Sequence, residues 1–213
     1  MVSVKQVHHP LFARFYALLT QHESAQMHEH RRELLSGLSG RVLEVGAGAG
    51  TNFEHYPPGV SEVIAVEPER FLRERAMVAA SRAAVAITVL DGVAEQLPVE
   101  DGCCDAAVAS LMLCSVADQA VALAELRRAV RPQGELRFYE HVLSHDPRIA
   151  RTQHFVDRMF WPKAFGGCHT ARDTPAAIEA AGFDIEQERR IWVAPIPIVV
   201  PVATHVLGTA RRR

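Results

Sequence analysis

The run Arg41-Val42-Leu43-Glu44-Val45 passes without a spacer into Gly46-Ala47-Gly48-Ala49-Gly50, and this junction constrains the fold more than any other stretch of the chain. Val42, Leu43 and Val45 are β-branched or aliphatic and suit a strand buried on both faces. Glycine on three alternate positions then permits positive φ and lets backbone approach a ligand with no Cβ in the way. A strand that delivers such a loop into a helix is the geometry by which α/β proteins hold nucleotides beyond the carboxyl ends of parallel strands.

The remainder keeps the same rhythm. Val63 to Val66 reads as a second strand, Pro68 to about Ser81 as a helix, and Val85 to Leu90 as a third strand. Ala106 to Ala109, a helix over Gln119 to Val130 stopped at Pro132, and a strand over Gly134 to His141 follow. Asp173-Thr174-Pro175 has the residues of a helix start, and Ala181-Gly182 those of its end. Phe183 to Val193 predicts a strand, the proline-rich Ala194 to Pro201 a loop, and His205 to Ala210 a last strand. Before the first strand, Leu11 to Leu38 is helical in pattern. With 213 residues, 48% of them hydrophobic, the chain can fill one core but not two full domains. The expected division is a helical cap over 1–40, a cofactor-binding core over 41–141, and acceptor-side helices with a hairpin over 142–213.

Which nucleotide the loop suits is a matter of counting. G-x-G-x-x-G fails, because the last position falls on Thr51 counted from Gly46 and on Phe53 counted from Gly48. No Gly-Lys-Ser or Gly-Lys-Thr is present, so a phosphate-binding Walker loop fails too. What stands is Glu44-x-Gly46-x-Gly48-x-Gly50. A carboxylate at the strand's end repels a pyrophosphate but favours a cofactor with a cationic methionine end, such as S-adenosylmethionine. Glu67 closes the second strand about twenty residues past Gly46, where an acid can hold a ribose. Asp91 to Pro98 follows the third strand as a loop able to hold adenine, and Cys104 to Leu111 carries the fourth.

Taken in order from Arg41 to His141, these segments resemble class I S-adenosylmethionine-dependent methyltransferases. The resemblance implies a Rossmann-like α/β fold: a seven-stranded sheet of order 3-2-1-4-5-7-6, its last strand antiparallel, helices on both faces, and an N-terminal helical segment over the cofactor. It implies S-adenosylmethionine contacts from Glu44, Gly46, Ala47, Gly48, Gly50 and Asn52 in the first motif. Glu67 and Pro68 fall at the ribose, Val93, Ala94 and Glu95 at the adenine, and Ser110 and Leu111 after the fourth strand. Two departures stand out. Gln133 replaces the first glycine of the usual Pro-Gly-Gly, and Val93 replaces the acid of the usual Gly-Asp-Ala-Glu. Leu113-Cys114-Ser115-Val116, Tyr139-Glu140-His141-Val142 and Gly166-Gly167-Cys168-His169 are similar to a narrower group that includes mammalian alkyl thiol methyltransferases. That likeness implies a small lipophilic acceptor, a thiol, phenol or quinol, and an N-terminal segment from Phe12 to Tyr16 folding over the cofactor, with Tyr16 near its methionine end.

Methyl transfer from a sulfonium is a direct displacement, so alignment and exclusion of water do most of the work. A thiol needs little activation, whereas a phenol needs a base, for which His141 and His169 are the candidates. Glu140 is the neighbour that could orient His141, and Phe160, Trp161 and Phe165 could line an acceptor pocket. A net charge of −2 and a pI near 6.6 give no general attraction for nucleic acid. Neither Cys103, Cys104, Cys114 and Cys168 nor the histidines show a metal-binding spacing, so no metal is expected. No apolar run is long enough to span a bilayer, although Ala194 to Pro201 could touch one, and cytoplasm is the expected compartment. The rival classes are an NAD(P)-dependent oxidoreductase and a cofactor-binding interaction protein without turnover.

Overall fold

The computed structural model describes residues 13, 14, 17, 18, 23–193 and 197–213, without the side chains of 197–199. Seven strands form one sheet: β1 (Gly40–Val45), β2 (Val60–Val66), β3 (Ile87–Leu90), β4 (Cys104–Ser110), β5 (Val130–His141), β6 (Phe183–Trp192) and β7 (Thr204–Arg212). Their order is β3-β2-β1-β4-β5-β7-β6, as the resemblance implies. β1 to β5 are mutually parallel, and β7 runs antiparallel to both β5 and β6.

The period of two along each strand divides the core. Leu43, Val45, Ala107, Ala109, Leu136 and Phe138 face one side and meet Leu123 and Leu126 of α3 (Gln119–Ala129) and Ile178 of α6 (Thr174–Ala180). Val42, Val63, Ala65, Val108 and Tyr139 face the other side and meet Leu34 and Leu35 of α1 (Ala25–Leu35) and Ala76 of α2 (Arg70–Ala80). Strands buried on both faces are the reason their sequences read as continuous apolar runs. Glu44 lies on the α1 side of β1 by the same alternation, and this decides its partners.

Side chains start the helices where the sequence suggested. Asp118 accepts from Ala120 and Val121 N–H, and Asp173 accepts from Ala176 N–H with Pro175 in the first turn. Asp146 caps α4 (Pro147–Met159) through Arg148 N–H, and the short α5 (Trp161–Ala164) follows.

Two local expectations need correction. Strand β5 begins at Val130 rather than Gly134, with a register shift between Cys104 and Ala106 on its partner. Gln133 takes φ +62° where the usual glycine is free to do so, and Gly134 is retained because a Cβ there would meet Val130 Cγ1 at 2.5 Å and Asp105 O at 2.6 Å. Residues Pro197–Val202 wind into a 3₁₀ turn rather than a loop, since so short a turn tolerates a missing donor at Pro201. Of the helical segment expected over Leu11 to Leu38, Phe12, Phe15 and Tyr16 lie outside the described residues, and Ala25–Leu35 forms α1. Among the described residues no helix is long and apolar enough to cross a membrane.

Candidate active site

The carboxyl ends of β1 and β2 and the turn after β4 meet at the glycine loop. Gly46 and Ala47 both donate to Val66 O, at 2.9 and 3.2 Å, so the loop hangs from the end of β2. Gly46, Gly48 and Gly50 all adopt positive φ, at 69°, 58° and 81°. Two of them are demanded by the protein itself: a Cβ at Gly46 would lie 2.6 Å from Met112 Cβ, and one at Gly50 2.7 Å from the Phe53 ring. Glu67, 5% exposed, accepts from Gly48 N–H at 2.8 Å and from Glu69 N–H at 2.9 Å. Burial pushes its carboxyl above the usual range, and the two backbone donors oppose the shift. Glu67 O and Pro68 O in turn accept from Arg73.

Glu44 is buried, and its partners belong to the protein. Oε1 accepts from Asn52 Nδ2 at 2.9 Å and Oε2 from the Tyr56 hydroxyl at 2.6 Å. Asn52 Oδ1 accepts from Arg31 Nη1 at 2.7 Å, and Arg31 also donates to Ser110 Oγ at 3.4 Å and to both oxygens of Glu23. Desolvation raises the Glu44 pKa to about 7 against the pull of Tyr56, Asn52 and Arg31. Glu44 therefore reaches the loop through Asn52. Sequence reasoning missed Arg31, one of many charged residues in Glu29-His30-Arg31-Arg32-Glu33, and nothing in that run distinguishes it.

In the adenine loop Val93 forms an isolated bridge with Gln96, and Ala94 is buried. Glu95 turns toward the start of α3, where Oε1 accepts from the N–H of the N-cap Asp118 at 3.2 Å and of the preceding Ala117 at 2.9 Å. Ser110 ends β4, and Leu111 beyond it takes φ 57°, costly for a γ-branched side chain and held by its N–H to Tyr139 O at 2.7 Å.

Glu140 does not orient His141. Its two oxygens accept from Met112, Leu113 and Cys114 N–H at 2.8 to 3.1 Å, because that turn buries three donors no backbone acceptor reaches. His141 instead meets sulfur: its Nδ1 is 3.6 Å from Cys114 Sγ and 3.5 Å from Cys168 Sγ. The interaction with Cys114 pushes the Cys168 thiol below its ordinary range against the opposing effect of burial, and His141 adds to this. The Cys114 thiol is pushed up correspondingly. His169 pairs through Nδ1 with Asp157 Oδ2 at 3.0 Å. Trp161 stacks on Phe165 at 4.2 Å, whereas Phe160 is turned to solvent. Tyr16 lies outside the described residues.

Comparison with known proteins agrees with this geometry. A family described as "Methyltransferase domain" matches residues 43–138. The chain is 34% identical to the human thiol S-methyltransferase TMT1B over 93% of this chain and 85% of that protein. The same identity and coverages hold for human thiol S-methyltransferase TMT1A. The YcgJ protein of Bacillus subtilis shares the fold, with a TM-score of 0.71 and 18% identity over 87% of this chain and 99% of that one. The oxidoreductase reading, already weakened by the failed glycine count, finds no support in these relatives. With this sheet order, this loop and these relatives, the chain belongs to the class I S-adenosylmethionine-dependent methyltransferases.

Proposed function

We propose that this chain, acting as a single methyltransferase domain, transfers the methyl group of S-adenosylmethionine to the sulfur of a small lipophilic thiol. The observation that carries the cofactor half is the suspended loop, with Gly46, Gly48 and Gly50 at positive φ and Glu67 on the Gly48 N–H. Each Glu67 oxygen accepts one backbone bond and keeps a lone pair for a ribose hydroxyl. Gly46 to Gly50 and Asn52 receive the methionine end, Pro68 borders the ribose, Val93 and Ala94 bound the adenine, and Ser110 and Leu111 border the sulfonium.

The acceptor half draws support from the names of the relatives and from the apolar surroundings of the β5 end. Trp161 and Phe165 stack there, and Phe155, Met159 and Phe160 of the neighbouring helices expose apolar surface fit for a lipophilic acceptor or a membrane surface. A thiol loses its proton near neutral pH readily enough to need alignment more than a base.

One observation favours a second reading. The Asp157–His169 pair is a carboxylate-held imidazole, the arrangement a phenol or quinol acceptor would need. A panel of alkyl thiols, phenols and amines with methyl-labelled S-adenosylmethionine separates the two. Label on thiols that persists in a His169→Gln variant supports the thiol reading. Label on phenols alone, lost in that variant, replaces it.

A further inference from the structure

The three segments Leu113 to Val116, Tyr139 to Val142 and Gly166 to His169, far apart in the chain, each send one side chain to a single point. Cys114 Sγ, His141 Nδ1 and Cys168 Sγ all lie within 4.8 Å of one another. The two sulfur-to-nitrogen separations are 3.6 and 3.5 Å. Tetrahedral zinc, with bonds of about 2.3 Å to sulfur and about 2.05 Å to nitrogen, sets that edge at about 3.6 Å. Two sulfurs and an imidazole are soft to borderline donors, suited to zinc and its cobalt substitute and poor for magnesium or calcium.

The donors are held in place by backbone and packing contacts that leave their sulfur and nitrogen atoms free to converge, as ligands of a built site are. Cys114 is fixed by its N–H on Glu140 Oε2 at 3.1 Å and by its carbonyl, which accepts from His169 N–H at 2.7 Å. Cys168 is brought in by Gly167, at φ +87°, where a Cβ would lie 2.8 Å from Ser115 O. His141 is anchored in β5 opposite His205 of β7, and the two rings pack edge to face at 4.6 Å. The point also lies beside the cofactor loop, because Met112, two residues before Cys114, packs against Gly46.

We propose that Cys114, His141 and Cys168 bind one zinc-class cation, and that its open fourth position takes the acceptor thiol as a thiolate. The cation site stands on this geometry alone; the role of its fourth position rests on the thiol reading above. Three protein ligands with one position open is the pattern of catalytic rather than structural zinc. In the step, the acceptor S–H proton passes to solvent as its sulfur joins the cation. A sulfur lone pair then forms the bond to the methyl carbon, while the methyl-to-sulfonium bond breaks and its electrons stay on the cofactor sulfur. Both products are neutral at sulfur, and the methylated thioether, a weaker ligand than the thiolate, departs.

The test begins with the full chain, reduced and stripped of metal with a chelator under anaerobic conditions, titrated with cobalt(II) chloride. One equivalent should give a near-ultraviolet thiolate-to-cobalt charge-transfer band and the intense visible bands of tetrahedral cobalt, displaced by zinc chloride. Cys114→Ser, Cys168→Ser and His141→Asn should lose that spectrum while retaining a cooperative thermal transition. His28→Ala, which removes a ligand from the half-exposed His28, Glu54 and His55 cluster, should keep it. A weak octahedral spectrum without charge transfer, or a signal unchanged in Cys168→Ser, overturns the site. So does recovery of the fresh protein as a Cys114–Cys168 disulfide that binds cobalt only after reduction and then without charge transfer. In a second arm, metal-free and zinc-loaded protein are compared on 1-hexanethiol, where zinc should raise the rate by about tenfold or more. Equal rates overturn the acceptor role and leave the thiol function standing. An intact cobalt spectrum with no thiol methylated by either form overturns the thiol reading and leaves the site standing.

Discussion

The carboxylate of Glu67 accepts the backbone N–H of Gly48 at 2.8 Å, so the acid at the end of β2 holds the glycine loop that follows β1. One residue thus shapes the loop, and the ribose contact proposed for it rests on the same carboxylate.

Replacing Glu67 with Ala leaves the N–H groups of Gly48 and Glu69 without their acceptor and removes the proposed ribose partner. Affinity for S-adenosylmethionine and for its demethylated product should fall by about tenfold or more, with a stability loss of about 1–3 kcal/mol. Calorimetric titration measures the first and thermal unfolding the second. Unaltered affinity refutes the ribose assignment.

Arg31 and Glu23 form an ion pair at 2.6 Å with side chains only 2% and 7% exposed. Arg31→Ala strands the buried carboxylate and Asn52 Oδ1, and should destabilise by about 3–5 kcal/mol. Arg31→Lys should recover little, because an ammonium cannot reproduce the bidentate fork together with the Asn52 bond. Urea unfolding midpoints check this. Arg70→Ala, which breaks an exposed pair with Glu74, should leave the midpoint unmoved.

Glu44 gives stability a pH dependence of defined sign. Its pKa rises from 4.5 to about 7 on folding, so the folded state holds a proton that the unfolded chain has released. The stability this group contributes is complete below pH about 4.5, falls as pH rises toward about 7, and is level above that. Of its direct hydrogen-bond partners, Tyr56 is pushed well above its usual range and Asn52 does not titrate. Denaturation of the native chain and of Glu44→Gln across this range should give a stability difference that declines by about 3 kcal/mol as pH rises. Parallel profiles refute it.

Gly208 sits in β7 between β5 and β6, and a Cβ there would meet Phe138 Cζ at 2.5 Å and also the carbonyl oxygen of Gln187. Neither neighbour has room to yield, since Phe138 is fully buried and Gln187 O is strand backbone. Gly208→Ala should destabilise by about 1–3 kcal/mol, read as a lowered Tm, with cofactor affinity preserved in the folded fraction.

Periodicity, capping residues and glycine placement determined the strands, the starts of α3 and α6 and the position of the cofactor loop, because each of those depends on neighbours within a few residues. Val42 and Leu43 announce a buried strand whatever follows, and Asp173 with Pro175 announces a helix. The sheet order came from the likeness of motifs taken in sequence. Tertiary structure alone decided which side chains meet across long separations. Glu44, read from sequence only for its cofactor role, meets Asn52 and Tyr56 because β1 presents it to the α1 side. Glu140, expected on His141, turns to three backbone donors. Cys114, His141 and Cys168, silent to any search of local spacing, come from three segments that only the folded sheet end brings together.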